Sequence, residues 1–133
     1  MSMKRILLVD DEPMVRRVLR LSLEKAGYAV DTASNGQEAL MKIKAAAPDA
    51  LITDIEMPLM DGRALCESLE LDLPDRKFPI FLATSLTGIE HRGWSGVIRD
   101  LHFLEKPVSA RMLITELADY FSQSTATSLE GVR

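Results

Sequence analysis

Five short apolar runs alternate along the chain with segments of helical periodicity, and no other feature limits the possible folds as strongly. The runs cover residues 4–9, 28–33, 50–53, 80–83 and 101–104. A short apolar run bounded by turn residues is typical of a buried strand, and the periodic segments are typical of helices that pack on a sheet. Five strand-helix units in succession predict a parallel sheet covered by helices on both faces, which is a doubly wound α/β fold.

The first and last helices have clear signals at their ends. Pro13 suits the first position of a helix, and Gly27 is expected to close that helix. The inward face of this first helix is predicted to consist of Val15, Val18, Leu19 and Ser22. The last helix is expected to run from Ser109 to about Phe121, and its apolar side is predicted to carry Leu113, Leu117 and Tyr120.

Two stretches of the chain are expected to lack a regular helix. The segment between the fourth and fifth strands contains Gly88, Gly93 and Gly96. Each glycine in a helix costs up to about 1 kcal/mol relative to alanine, so we expect a short, mobile or irregular helix there. Beyond residue 121 the chain is rich in Ser and Thr and loses its periodicity. We therefore expect one domain over residues 1–121 and a tail or linker over residues 122–133.

Composition excludes several classes of protein. The chain has 133 residues, of which 47% are hydrophobic, and this suits one globular domain with its own core. A formal net charge of -4 argues against a surface that neutralises many phosphates, so we expect no direct nucleic-acid contact. Cys66 is the single cysteine and is expected to be a buried apolar residue. No apolar stretch approaches the ~20 residues that span a bilayer, and no secretory signal is evident, so we expect a soluble, cytoplasmic protein.

Acidic residues follow two of the five apolar runs directly. Asp10 and Asp11 come after the first run, and Asp54 comes after the third. In an open α/β sheet the carboxyl ends of the strands border the ligand crevice, so neighbouring strands would bring these three carboxylates together. Like charges at such distances repel unless a cation or a proton intervenes. The sequence therefore predicts a metal-dependent phosphoryl site at this edge of the sheet.

Four motifs in the sequence carry a specific resemblance. They are LLVDDEP (7–13), LITDIEMPLMDG (51–62), ATS (83–85) and FLEKP (103–107). In this order and at these distances along the chain, they resemble the motifs of the receiver domain of two-component response regulators, and the resemblance extends from about residue 4 to residue 121. It implies a flavodoxin-like fold with strand order 2-1-3-4-5 and five flanking helices.

The resemblance implies a role in phosphoryl transfer for the acidic residues. Asp54 would be the nucleophile that accepts a phosphoryl group from a sensor histidine kinase or a phosphotransfer protein, so Asp54 is the expected site of modification. Asp10, Asp11 and Asp54 would hold a divalent cation together with the backbone carbonyl of Glu56. Because all of these ligands are oxygen atoms, Mg²⁺ is expected and Mn²⁺ is possible.

The residues after the fourth and fifth strands would complete this site. The resemblance implies that Lys106 pairs with a phosphoryl oxygen and that the Thr84 hydroxyl donates to another. Pro107 resembles a proline that follows a cis peptide bond in the family. Phe103 matches the aromatic residue that turns inward when Thr84 moves, so Thr84 and Phe103 are the expected switch. The surface of helix 4, strand 5 and helix 5 would then engage a downstream partner, a fused output domain or a second copy of the chain.

Other residues near these motifs have less specific roles. In the family, the positions of Glu56 and Leu86 border the attacking water and influence how long the phosphate survives. Trp94 is interpreted either as a partly exposed residue for partner contact or as a residue packed on the sheet. His91 and His102 lack the spacing of a metal site and receive no functional role.

Two other classes of function are alternatives to a receiver domain. A small phosphatase with an aspartyl nucleophile is the alternative, because Glu56 stands two residues after Asp54, where such enzymes place a general acid. A nucleotide-binding or flavin-binding domain is a further possibility, but no glycine-rich phosphate loop follows the first strand.

Overall fold

A computed structural model describes residues 3–85 and 91–131 of the chain. Five parallel strands form one sheet in the order β2-β1-β3-β4-β5. The strands are β1 (Arg5–Val9), β2 (Ala29–Ala33), β3 (Ala50–Asp54), β4 (Ile80–Thr84) and β5 (Leu101–Glu105). The doubly wound α/β fold and the strand order expected from the sequence are both confirmed.

Helices follow each of the strands along the described chain. They are α1 (Pro13–Lys25), α2 (Gly36–Ala45), α3 (Gly62–Asp72), α4 (Arg92–Ser95) and α5 (Ala110–Gly131). Pro13 stands at the start of α1, and Gly27 follows the end of α1 with a φ of 103°, a conformation that favours glycine. The side chain of Asn35 accepts a hydrogen bond from the Glu38 backbone and caps α2.

The core has two layers, one on each face of the sheet. Leu7 and Val9 of β1 point to one face, where they pack with residues of α2, α3 and α4. Ile6 and Leu8 point to the other face, where they pack with α1 and α5. This alternation follows from the two-residue period of a strand, and it buries β1, β3 and β4 on both sides.

The inward face predicted for α1 is wrong in part. Leu19 and Leu23 are buried against the sheet, whereas Val15 is 36% exposed and Val18 is 55% exposed. Apolar residues lie on more than one side of this helix, and Leu21 is also exposed. Periodicity alone therefore does not identify the stripe that packs on the sheet.

In the described part of the segment between β4 and β5, helix α4 is a single turn, in agreement with the short helix that the glycines predict, and Gly88 lies outside the described residues. Trp94 lies on this turn and is only 8% exposed, because its ring packs in the same core layer as Ile98. The hypothesis of a partly exposed Trp94 is therefore wrong, and the interpretation as a residue packed on the sheet is confirmed.

Helix α5 is longer than the sequence predicts. Its buried face contains Leu113 and Leu117, as expected, but the helix runs past Phe121 to Gly131. Phe121 packs in the second core layer, and the Tyr120 hydroxyl donates a hydrogen bond to Asp100 over 2.6 Å. These contacts attach α5 to the rest of the domain near residue 121, where the helical periodicity of the sequence ends. The division into a domain over residues 1–121 and a tail over residues 122–133 stays a prediction.

A buried arginine joins three segments at the amino ends of β4 and β5. The Arg76 side chain is fully buried and donates to the Phe78 carbonyl over 2.6 Å and to Glu70 over 2.5 Å. It also donates to the Arg99 carbonyl, and the Arg99 side chain pairs with Glu70 over 3.1 Å. Burial alone would raise the pKa of Glu70, but hydrogen bonds from Arg76 and Arg99 lower this pKa overall. This cluster fixes the rim of the sheet opposite the acidic residues.

Candidate phosphoryl-transfer site

The predicted site residues meet at the carboxyl ends of four adjacent strands. Asp10 follows β1, Asp54 is the last residue of β3, Thr84 is the last residue of β4 and Lys106 follows β5. The strand register pairs Asp54 with Ala83, and Thr84 with Glu105. The predicted side chains therefore come from one rim of the sheet, as the parallel arrangement requires.

Three carboxylates lie together at this rim. Asp10, Asp11 and Asp54 each offer one oxygen, and these oxygens all lie within 4.8 Å of one another. Asp54 is 4% exposed and Asp10 is 8% exposed, whereas Asp11 is exposed to solvent. Three acids so close together repel one another, and an all-oxygen set suits a hard divalent cation. The residues present therefore fit Mg²⁺ by their chemistry and by their proximity.

Lys106 places a positive charge directly beside Asp54. Its ammonium lies 2.8 Å from Oδ1 and 2.9 Å from Oδ2 of Asp54. Burial alone would lower the pKa of Lys106, but the hydrogen bond and the negative charge of Asp54 raise it overall. Lys106 is therefore a charged donor beside Asp54. The Lys106–Pro107 peptide bond is cis, as the resemblance implies.

Asp10 has a raised pKa, chiefly because it is buried. Burial raises the pKa of Asp10, the hydrogen bond from the Glu12 backbone opposes this effect, and the charge of Asp54 adds to it. The Glu12 N–H donates to Oδ1 of Asp10 over 2.9 Å. Asp10 is therefore held in place by the start of α1 in an environment that disfavours its negative charge.

The loop after β3 folds back on Asp54. The Glu56 N–H donates to Oδ1 of Asp54 over 3.4 Å, so the Glu56 backbone lies beside the carboxylate. The Gly62 N–H donates to the Ile55 carbonyl over 2.8 Å at the start of α3. A Cβ atom at position 62 would lie 2.5 Å from the Asp54 carbonyl oxygen, so only glycine fits here. Metal binding by the Glu56 carbonyl stays a prediction, and Leu86 lies outside the described residues.

Thr84 and Phe103 are linked through a residue that received no role in the sequence interpretation. His91 is 5% exposed, and its Nε2 lies 3.3 Å from Oγ1 of Thr84. The His91 ring also stacks on Phe103 with ring centroids 5.8 Å apart, and the Phe103 side chain is 39% exposed. No sequence signal identified His91, because its partners come from β4 and β5. The switch role of Thr84 and Phe103 stays a prediction.

The match to known families decides what kind of domain this is. The family model of the response regulator receiver domain matches residues 6–118 of the chain. The chain belongs to this family. The membership confirms the resemblance seen in the four motifs, and it gives no support to the phosphatase alternative.

Relatives of this receiver domain include transcriptional regulators. The probable transcriptional regulator ycf27 of Pyropia yezoensis is 33% identical over 137 residues, which cover 97% of this chain and 54% of the relative. The response regulator MprA of Mycobacterium avium is 37% identical over 115 residues, which cover 85% of this chain and 49% of the relative. This receiver domain thus spans about half the length of these curated relatives.

Solved structures of receiver proteins share the fold. The chemotaxis protein CheY4 of Vibrio cholerae has a TM-score of 0.80 and 30% sequence identity, and the alignment covers 89% of this chain and 98% of CheY4. A CheY-like receiver domain protein of Methanospirillum hungatei has a TM-score of 0.82 and 28% identity, with coverage of 95% and 99%. Among the described residues of this receiver domain, no helix is both long and apolar enough to cross a bilayer.

Proposed function

We propose that this receiver domain accepts a phosphoryl group on Asp54 from a phosphohistidine of a sensor histidine kinase or a phosphotransfer protein. The observation that supports this most directly is the position of Asp54, which is buried, contacts Lys106 and lies within the cluster of Asp10 and Asp11. A buried carboxylate with a lysine on one side and two acids on the other suits a nucleophile that meets a phosphoryl group.

Each residue of the site has a separate task in the transfer. A carboxylate oxygen of Asp54 attacks the phosphorus in line with the departing imidazole, so an oxygen–phosphorus bond forms as the nitrogen–phosphorus bond breaks. Lys106, which contacts both oxygens of Asp54, pairs with a phosphoryl oxygen as the group arrives. The Thr84 hydroxyl donates to another phosphoryl oxygen.

The proposed cofactor is Mg²⁺, with Mn²⁺ as a substitute. Asp10, Asp11, Asp54 and the backbone carbonyl of Glu56 would hold it, and when bound it would supply positive charge that stabilises the transferring phosphoryl group. The domain catalyses its own phosphorylation and dephosphorylation in this proposal. Glu56, whose backbone lies beside Asp54, is placed to influence how long the phosphate survives.

The output of the domain would be a changed surface. Phe103 is exposed at β5 and contacts His91, so a movement of Thr84 toward the phosphate changes the support of Phe103. The surface formed by α4, β5 and α5 would then bind a downstream protein, an output domain of the same polypeptide or a second receiver domain. We place this activity in the cytoplasm, and nucleic-acid contact would belong to an output domain because this chain carries a net charge of -4.

The test is labelling by a small phosphodonor. Incubation with acetyl phosphate and MgCl₂ is expected to add one phosphoryl group, and mass spectrometry of peptides is expected to locate it on Asp54. Chelation of the metal and the Asp54→Asn substitution should each abolish labelling, whereas Asp119→Asn, which removes an exposed acid of α5, should not. Labelling that persists in Asp54→Asn would refute the assignment.

A further inference from the structure

The Thr84 hydroxyl, which has a task in the proposed transfer, is joined by buried hydrogen bonds to His91 and Trp94, which have none. His91 Nε2 lies 3.3 Å from Thr84 Oγ1, and the Trp94 indole Nε1–H donates to His91 Nδ1 over 3.3 Å. The exposed fractions are 3% for Thr84, 5% for His91 and 8% for Trp94. Water therefore has little access to replace either hydrogen bond if it is broken.

The chemistry of the three side chains fixes the direction of these hydrogen bonds. An indole N–H can only donate, so His91 Nδ1 must accept and carries no proton. In a neutral imidazole the proton is then on Nε2, and Nε2–H donates to the Thr84 oxygen. The hydroxyl hydrogen of Thr84 consequently points away from His91.

His91 also contacts the exposed aromatic residue of the expected switch. Its ring stacks on Phe103 at an interplanar angle of 19° and meets Trp94 edge-on at 78°. One side chain thus joins the hydroxyl of β4, the indole of α4 and the phenyl ring of β5. A displacement of the His91 ring changes the contacts of both aromatic residues.

We propose that His91 is the positioning residue that transmits a movement of the Thr84 hydroxyl to Trp94 and Phe103. This inference rests on the proposed function, because it needs a phosphoryl group on Asp54 to draw the hydroxyl away. When Thr84 moves toward Asp54, the hydrogen bond from Nε2 lengthens and the imidazole loses one of the contacts that hold its ring in place. Trp94 and Phe103, which touch the same ring, then move together.

The experiment uses Trp94 as its own reporter, since it is the single tryptophan of the chain. Phosphorylation by acetyl phosphate and MgCl₂ is measured by mass spectrometry, and tryptophan emission is recorded on the same samples. In the natural sequence we expect labelling of Asp54 together with a change in emission intensity or wavelength. In His91→Phe, which retains a ring but removes both hydrogen bonds, we expect labelling with loss of the emission response.

Two further variants separate this role from general stability. His91→Gln retains one donor and one acceptor, so it should recover part of the emission response if His91→Phe is poorly folded. His102→Phe is the matched control, because His102 is the other histidine of the chain and stacks on Phe81. His102→Phe should retain the full response. Nitrogen NMR of the unphosphorylated protein should find His91 protonated on Nε2 and unprotonated on Nδ1.

The outcomes distinguish this inference from the function on which it rests. Absence of labelling in the natural sequence overturns both. Labelling with an unchanged Trp94 emission, or an equal emission response in His91→Phe, overturns the role of His91 alone. A folded His91→Phe protein that cannot be labelled would place His91 in the transfer chemistry and would also overturn the role, as would the opposite imidazole tautomer.

Discussion

The Lys106 ammonium contacts both carboxylate oxygens of Asp54, at 2.8 Å and 2.9 Å, so one cation neutralises the buried acid at the end of the central strand. This pair joins the middle of the sheet to its edge, because Asp54 belongs to β3 and Lys106 follows β5. The stability of the metal-free protein and its ability to receive a phosphoryl group should both depend on this contact.

Lys106→Met tests the first of these effects. The variant leaves Asp54 buried without its cation beside two further acids, so we expect the metal-free protein to lose about 2 kcal/mol of unfolding free energy. MgCl₂ should restore part of this loss, because a divalent cation neutralises the same acids. Urea unfolding with and without MgCl₂ measures both effects. Equal stability of the variant and the natural sequence would contradict the prediction.

Asp10→Asn should have the opposite effect on the metal-free protein. Because the pKa of Asp10 is raised, folding favours the protonated form of this side chain. Its contribution to the free energy of unfolding is therefore present at low pH and is lost as the pH rises through the raised pKa. Asparagine removes the repulsive charge and still accepts from the Glu12 N–H, so we expect a gain of about 1 kcal/mol at neutral pH.

The same variant should respond less to metal. Thermal unfolding of Asp10→Asn is expected to shift little on addition of MgCl₂, whereas the natural sequence should gain stability. Asp119→Asn is the control, since it makes the same change of charge at an exposed position of α5. A metal response in Asp10→Asn as large as that of the natural sequence would argue against metal binding by Asp10.

Glu70→Gln should change how stability depends on pH. The pKa of Glu70 is lowered overall by hydrogen bonds from Arg76 and Arg99. The Glu70 carboxylate therefore adds to the free energy of unfolding at neutral pH, and this contribution is lost as the pH falls through the lowered pKa. We expect a loss of about 2 kcal/mol at neutral pH, because the buried Arg76 loses its charged partner.

The difference in unfolding free energy between Glu70→Gln and the natural sequence should shrink as the pH falls below the ordinary range of a glutamate and through the lowered pKa of Glu70, where the carboxylate becomes protonated. Urea unfolding over a range of pH measures this. Glu67→Gln is the control, because Glu67 forms an exposed pair with Arg63 and should contribute little. A pH-independent difference for Glu70→Gln would show that its charge is not the cause.

Gly62→Ala and Gly93→Ala form a matched pair of substitutions. A Cβ at position 62 would lie 2.5 Å from the Asp54 carbonyl oxygen, so we expect a loss of about 2 kcal/mol and weaker labelling by acetyl phosphate. A Cβ at position 93 meets nothing within 4 Å, so alanine in the single turn of α4 should be neutral or stabilising by up to about 1 kcal/mol. Thermal unfolding compares the two, and equal losses would contradict the steric argument.

The sequence predicts the sheet and the acidic rim because both depend on local patterns. An apolar run followed at once by Asp10 or Asp54 determines where a buried strand ends and what its end presents. The parallel arrangement then brings these ends to one rim without any knowledge of packing. The cis bond at Pro107 was predicted by resemblance to the family and not by this physical argument.

Features that depend on contacts distant in sequence were missed. The inward face of α1 was assigned to Val15, Val18, Leu19 and Ser22, and only Leu19 of these is buried. Several sides of the helix carry apolar residues, so packing and not periodicity selects Leu23 in place of Val15 and Val18. The burial of Trp94 was left open between two interpretations, because it depends on packing in the core layer that also contains Ile98.

Two polar clusters among the described residues were missed for the same reason. Glu70, Arg76 and Arg99 stand in different segments, and each alone is an ordinary surface residue by type. The contacts of His91 with Thr84 and Phe103 likewise join three elements. Such clusters can be identified only from the tertiary structure, because no residue spacing along the chain predicts them.

The strand order gives Asp54 and Lys106 unequal surroundings. β3, which carries Asp54, has hydrogen-bonded neighbours on both sides, whereas β5, which leads to Lys106 and carries Phe103, has a neighbour on one side only. Asp54, the proposed nucleophile, is therefore held in a strand with hydrogen-bonded neighbours on both sides. Phe103, the proposed switch residue, lies on an edge strand, where a displacement disturbs few neighbours. In the proposed function, phosphorylation at the centre of the sheet can therefore change the surface at its edge while the other strands keep their positions.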